Sequence, residues 1–144
     1  MIRIQPNQVQ NLQQIEAVVA GPEGANRLFT VAGQFEIPSG SASQNQTFTV
    51  LVGPSLTRQQ FLRAIATASL TKTTAIVQSL PSDFGWGIAG IDADWDDESG
   101  QVELRIEAFA YASGANNSTS INSLAFQVTI LAAMTAKTPP GFIG

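Results

Sequence analysis

The stretch GIDADWDDESGQVELRIE, residues 90–107, alternates apolar and polar side chains on both sides of a short polar interruption. A period of two is what a strand imposes on a half-buried chain, because successive side chains point to opposite faces. Let Asp97, Glu98, Ser99 and Gly100 form a four-residue loop, with Gly100 at a left-handed position. Trp95 then falls opposite Val102, Ala93 opposite Leu104 and Ile91 opposite Ile106, while Asp96, Asp94 and Asp92 meet Gln101, Glu103 and Arg105. Sliding one arm by a single residue sets Asp96 against Val102 and mixes both faces. The spacing predicts an antiparallel hairpin in which Ile91, Ala93 and Trp95 share a dry interior with the even-numbered residues from Val102 to Ala110.

That register bears on an acidic cluster: seven of the eleven acidic residues lie between Asp92 and Glu107. Asp92, Asp94, Asp96 and Glu103 stand at the ligand offsets of a helix–loop–helix calcium loop, but its sixth position, a glycine in the motif, is Asp97. The flanks also lack a helical stripe. Asp94, Asp96 and Glu103 are the acids that would take up an opportunistic calcium ion, and no other cofactor is expected. Two carboxylates can hydrolyse a glycosidic bond, but one must sit in a cleft with a raised pKa, whereas these lie on the wet side of a ribbon. The chain has no histidine and no cysteine, which removes the side chain best suited to proton transfer near neutrality, disulfides and thiolate metal sites. No catalytic residue is predicted, and a glycosidase-like enzyme is the least favoured function.

Beyond residue 107 the outward row of the second arm turns apolar, at Phe109 and Tyr111, while the inward row continues through Ala108 and Ala110. Either the N-terminal helix or a loop covers these two aromatics, or they form a contact patch for another subunit or a ligand. Trp86, between two glycines in FGWG, is a third aromatic candidate, or else a core or rim residue. Asn45 and Asn117 begin N-x-S/T sequons.

Along the rest of the chain, Asn7 is placed to cap a helix over residues 8–20, with Val9, Leu12, Ile15 and Val19 as a narrow apolar stripe and Gly21-Pro22 as the stop. From Leu28 the period becomes two: Phe29, Val31, Phe35 and Ile37 share one face, with Gly33 at a bulge or close approach. Phe48, Val50 and Val52 likewise point one way. Thr57 and Gln60 fit a capping box, and residues 57–70 read as either a short helix or, from about Arg63, a strand. TKTTAIVQSLPSD reads as loop. The spacing predicts a mainly all-β chain: an antiparallel β-sandwich of about six strands with a short N-terminal helix. The expected divisions are an N-terminal helical arm (1–27), the sandwich (28–134) and an extended C-terminal tail (135–144). In that tail Phe142 and Ile143 follow two prolines and either tuck into the domain or dock on a neighbour.

Three stretches, FEIPSG, GWGIAGIDADWD and LAFQVTILA, make the segment from Leu28 to Ala133 resemble the small six-stranded sandwiches of the H-type lectins, and similar sandwiches in phage tail and capsid-decorating proteins. The closing strand reads FQVTILA where the lectins carry a tryptophan, so no glycan-site residue is carried over. The resemblance implies an architecture and a tendency to form trimers or larger rings.

Composition narrows the partners. Only 12% of residues are charged, about half of the usual ~25%, and Gln, Asn, Ser and Thr make up the polar remainder. A surface poor in charge resists association weakly. The net charge of −4 argues against a nucleic-acid partner, and no apolar run reaches the ~18 residues of a membrane span. Without a secretory signal pattern, synthesis in the cytoplasm is expected, with the virion as destination if the chain is viral. The function expected is a non-enzymatic structural or interaction subunit: a homo-oligomer that also contacts other subunits of an assembly. A lectin-like module that binds glycans is the alternative.

Overall fold

A computed structural model describes residues 1–22, 24–37 and 45–134. The fold is a sandwich of two four-stranded sheets. One has the order β1-β4-β7-β6 and the other β2-β3-β8-β5. The strands are β1 (Ile2–Ile4), β2 (Val9–Gly21), β3 (Gly24–Glu36), β4 (Gln46–Val52), β5 (Phe61–Ile76), β6 (Asp83–Trp95), β7 (Val102–Ser113) and β8 (Ser118–Ala133). The six strands anticipated from the alternation are β3 to β8. All pairings are antiparallel except that of β1 with β4, which is parallel.

The expected N-terminal helix is absent among the described residues, and its segment is β2. A single 3-10 turn, Pro6–Gln8, leads into it, with Gln5 and Gln8 closing a reciprocal capping box. β2 then pairs with β3 from Val9↔Phe35 to Gly21↔Gly24, with one irregularity between Gln10 and Gln13. Asn11 sits in that irregularity at φ 53°. The extra residue puts Val9 and Leu12 three apart, and beyond it this edge strand carries apolar residues on both of its faces, so the combined spacing imitates a helix. Residues 1–27 are thus no separate arm: Ile4 is buried in the core and β2 is part of a sheet.

The core lies between the sheets, and the alternation explains who fills it. From β3 come Phe29, Val31 and Phe35, from β4 Phe48, Val50 and Val52, from β7 Val102, Leu104, Ile106, Ala108 and Ala110, and from β8 Leu124, Phe126, Val128 and Ile130. Ile37 joins them just past β3. Gly33 is a close approach, as its spacing implied: a methyl group there would press on Val9 and the Phe126 ring. Burying a side chain of Leu or Phe size contributes roughly 1.5–3 kcal/mol, so β7 and β8, central in their sheets, dominate the stability.

The segment after Pro54 resolves in favour of the strand. Thr57 and Gln60 do form the reciprocal pair of a capping box, at 2.9 and 3.2 Å, but only one turn follows before β5 begins at Phe61. β5 runs on to Ile76, through residues whose sequence reads as loop. Hydroxyl pairs hold that polar extension to β8: Thr71 with Ser123 and Thr74 with Ser120, both at 2.5 Å. Such cross-strand hydroxyl pairs replace apolar packing where a strand outruns the opposite sheet.

Candidate functional site

The hairpin of β6 and β7 has the register its sequence dictates: Ile91↔Ile106, Asp92↔Arg105, Ala93↔Leu104, Asp94↔Glu103 and Trp95↔Val102. The loop closes through Asp96 N donating to Gln101 O at 2.8 Å and Gly100 N donating to Asp96 O at 2.8 Å. Gly100 takes φ 73°, the conformation only glycine enters freely. The Asp96 carboxylate accepts from Ser99 N at 3.0 Å and Ser99 Oγ at 2.6 Å. The Ser99 hydroxyl bond, more than any other influence, holds the Asp96 pKa below its ordinary value. Trp95 anchors the end of the ribbon, its Nε1 donating to Leu56 O at 3.0 Å and Gly100 O at 3.2 Å.

The inward row of β7 is fully buried, while that of β6 is only half so, with Ile91 37% exposed. β6 is the sheet's edge, and an edge strand has a neighbour on one side only.

The acids proposed for calcium point to the solvent face. Asp94 caps the backbone N–H of Trp95 at 2.8 Å, Asp96 is engaged in its own turn, and Glu103 lies 3.8 Å from Arg3. Among the described residues no three acids converge in a way that could hold a metal ion. Arg105 sits opposite Asp92 but its Nε lies 4.0 Å from Glu107. Exposed pairs of this kind contribute about 0–1 kcal/mol.

Phe109 and Tyr111 are on the outward row of β7. They lie across the glycines of FGWG. A bulge between Ile88 and Gly90 shifts the register so that Gly87 faces Phe109 and Gly85 faces Tyr111. A methyl group at either glycine would overlap the facing ring. The aromatics thus fill space that a β6 side chain would otherwise take. One face of each ring covers the edge strand, and Tyr111 keeps 45% of its surface exposed. Trp86 is on the other face of β6, opposite Ala110. It packs half-buried against the core and stacks on Phe84 at 6.4 Å between ring centroids. It is a rim residue of the sandwich. Phe142 and Ile143 lie outside the described residues.

Asn117 has a role its sequon conceals. Its Oδ1 accepts from Gln78 N at 2.6 Å and Ser79 N at 3.1 Å, while Nδ2 donates to Ser113 O at 2.8 Å and Ser79 O at 3.1 Å. The side chain clamps the segment after β5 to the β7–β8 turn, so its amide is occupied within the fold.

The outer face of the second sheet was not singled out by sequence. Its rows, read across β2, β3, β8 and β5, are Gln10–Gln34–Ala125–Ser69, Gln13–Ala32–Gln127–Thr67, Ile15–Thr30–Thr129–Ile65 and Ala17–Leu28–Leu131–Arg63. Arg63 is the single charge among these four rows, and the next row, Glu36–Ser123–Lys72, carries one charge of each sign. A shallow groove of about 290 Å³ crosses this face between residues 67–69 and 125–127. On β2, Ile15 on this face is 64% exposed, and Leu12 in the irregularity and Val18 on the other side of the strand are 56% and 63% exposed. The signal was present in the sequence as uncharged outward residues, but it becomes a surface only once β2 is known to be a strand.

No family model matches this chain, and comparison with curated proteins and with solved structures gave no match. No helix among the described residues is long and apolar enough to cross a membrane.

Proposed function

We propose that this chain is a non-enzymatic structural or interaction subunit that oligomerises through the β2-β3-β8-β5 sheet. The observation that carries the reading is the scarcity of charge in the middle rows of that sheet's outer face, together with exposed Leu12, Ile15 and Val18 on its edge strand and Leu62 and Ile65 on the opposite strand. A contiguous surface of uncharged polar and apolar residues loses little hydration on being covered, which is the economy of a subunit contact. Its setting is an assembly of many copies: a phage tail, baseplate or capsid-decorating layer, or another surface assembly. The likeness of the strand rhythm to such sandwiches supports the same reading. Light scattering coupled to size exclusion at tens of micromolar tests it. A multiple of the chain mass is expected, and a clean monomer would contradict it.

Tyr111 favours a second reading, a lectin-like module. Its ring lies against Gly85 and leaves a large part of its surface to solvent, and the C–H face of a sugar stacks on such a surface. A glycan array with and without calcium tests this, and blank arrays under both conditions would remove it.

A further inference from the structure

Every open sheet has two edges, each a row of unpaired N–H and C=O groups that another strand can join unless something guards it. Three of the four edges here are guarded. β1 is three residues long. β6 carries Asp83, Asp92 and Asp94 and a bulge. β5 carries Arg63 and Lys72 and has several register shifts. β2 is different. After its one irregularity it pairs without interruption from Gln13 to Gly21, contains no proline, and has a single charge, Glu16. That charge is already answered within the chain, with Arg27 Nε 2.6 Å from the carboxylate.

The sequence of β2 also matches itself. Turned antiparallel about Ile15, two copies set Ile15 against Ile15, Leu12 against Val18, Gln13 against Ala17 and Gln14 against Glu16. Ile15 thereby meets its own copy on the outer face and Leu12 meets Val18 on the other, and the one carboxylate meets an amide donor. Moving the centre by one residue spoils the match: about Glu16 two carboxylates face each other, and about Gln14 Leu12 meets Glu16.

We infer that a second copy of this chain docks on β2, pairing strand to strand about a two-fold axis at Ile15 and joining the two four-stranded sheets into one of eight. The contact is isologous, as a two-fold requires, and the backbone ladder supplies affinity while the Ile15, Leu12 and Val18 matches set the register. This inference rests on the oligomerising reading above and names its surface.

Light scattering and oxidative cross-linking of single-site variants test it. The chain has no cysteine, so Ile15→Cys is a unique reporter of a residue opposite its own copy. It is expected to give a covalent dimer under mild oxidation, while Leu80→Cys, exposed in the connection from β5 to β6 and outside the proposed surface, gives none. Ile15→Lys places two like charges in contact and is expected to weaken dimerisation by at least about tenfold, with Leu80→Lys as the control. Wild-type chain at twice the monomer mass, converted to monomer by Ile15→Lys alone, supports the inference. An oligomer untouched by Ile15→Lys and uncross-linked through Ile15→Cys overturns this surface and leaves oligomerisation standing. A wild-type monomer at tens of micromolar overturns both.

Discussion

The two sheets of this sandwich turn very different faces outward. In the β1-β4-β7-β6 sheet the outward rows carry Arg3, Asp92, Asp94, Glu103, Arg105 and Glu107 before giving way to Phe109 and Tyr111 over their glycines. In the β2-β3-β8-β5 sheet the corresponding rows hold mostly glutamine, threonine, alanine and leucine, with charge confined to Arg63 and, in the row at one end, to Glu36 and Lys72. Both arise from the same alternation, since each outward residue is the neighbour of a core residue. The difference teaches that period two settles which side is wet in the monomer, whereas charge density settles which wet side is suited to remain so. The acidic hairpin, the most conspicuous feature of the sequence, is the solvated face. The inconspicuous face is the one we propose meets a partner.

The largest test of this contrast lies within one strand. Ile106 is buried and its neighbour Arg105 points to solvent. Ile106→Ala should cost roughly 2–5 kcal/mol, and Arg105→Ala within about 0.5 kcal/mol, read by urea denaturation. Similar losses for both would break the assignment of faces. Next, Gly85→Val and Gly87→Val should each cost about 1–3 kcal/mol, because the Tyr111 and Phe109 rings must leave the space they fill. Near-ultraviolet circular dichroism should report the displaced tyrosine in the first variant. Asn117→Ala removes a clamp with four hydrogen bonds and should cost about 1–3 kcal/mol, with faster proteolysis of residues 77–82 as its local sign.

The smallest effect concerns Asp96. Its pKa is lowered in the fold, so the charged carboxylate contributes stability in full above its ordinary value of 3.8, and that contribution is lost as pH falls through the lower folded value. Asp96→Asn should therefore show a shallower drop in Tm with acidification than the wild type. Parallel Tm–pH curves would show the turn to be indifferent to that charge.

How legible all this was in the sequence varies by region for physical reasons. The β6–β7 register could be read in full from Ile91 to Val102 because a tight turn and an unbroken alternation leave no second solution. The segment of β2 could not, because the extra residue at Asn11 set Val9 and Leu12 three apart and the exposed edge strand beyond it carries apolar residues on both faces. The second half of β5 was hidden for the opposite reason: beyond Leu70 it is held by Thr71 and Thr74 hydroxyls, with little apolar periodicity to see. The pairing of FGWG with Phe109 and Tyr111 follows from the hairpin register only after a one-residue bulge at Ala89 is admitted. Of the candidate site, the outward direction of Phe109 and Tyr111 could be read from the alternation and the glycines they lie against could not, while the sparsely charged sheet required β2 to be a strand.

Hydrogen exchange read by mass spectrometry, at low and high protein concentration, compares the two sheets most directly. Amides of residues 13–21 in β2 should become protected as concentration rises, while those of β6, the guarded edge, exchange at an unchanged rate. Concentration-independent exchange in β2, or protection that appears first on the acidic β6–β7 ribbon, would contradict the claim that the uncharged sheet is the face that meets a partner.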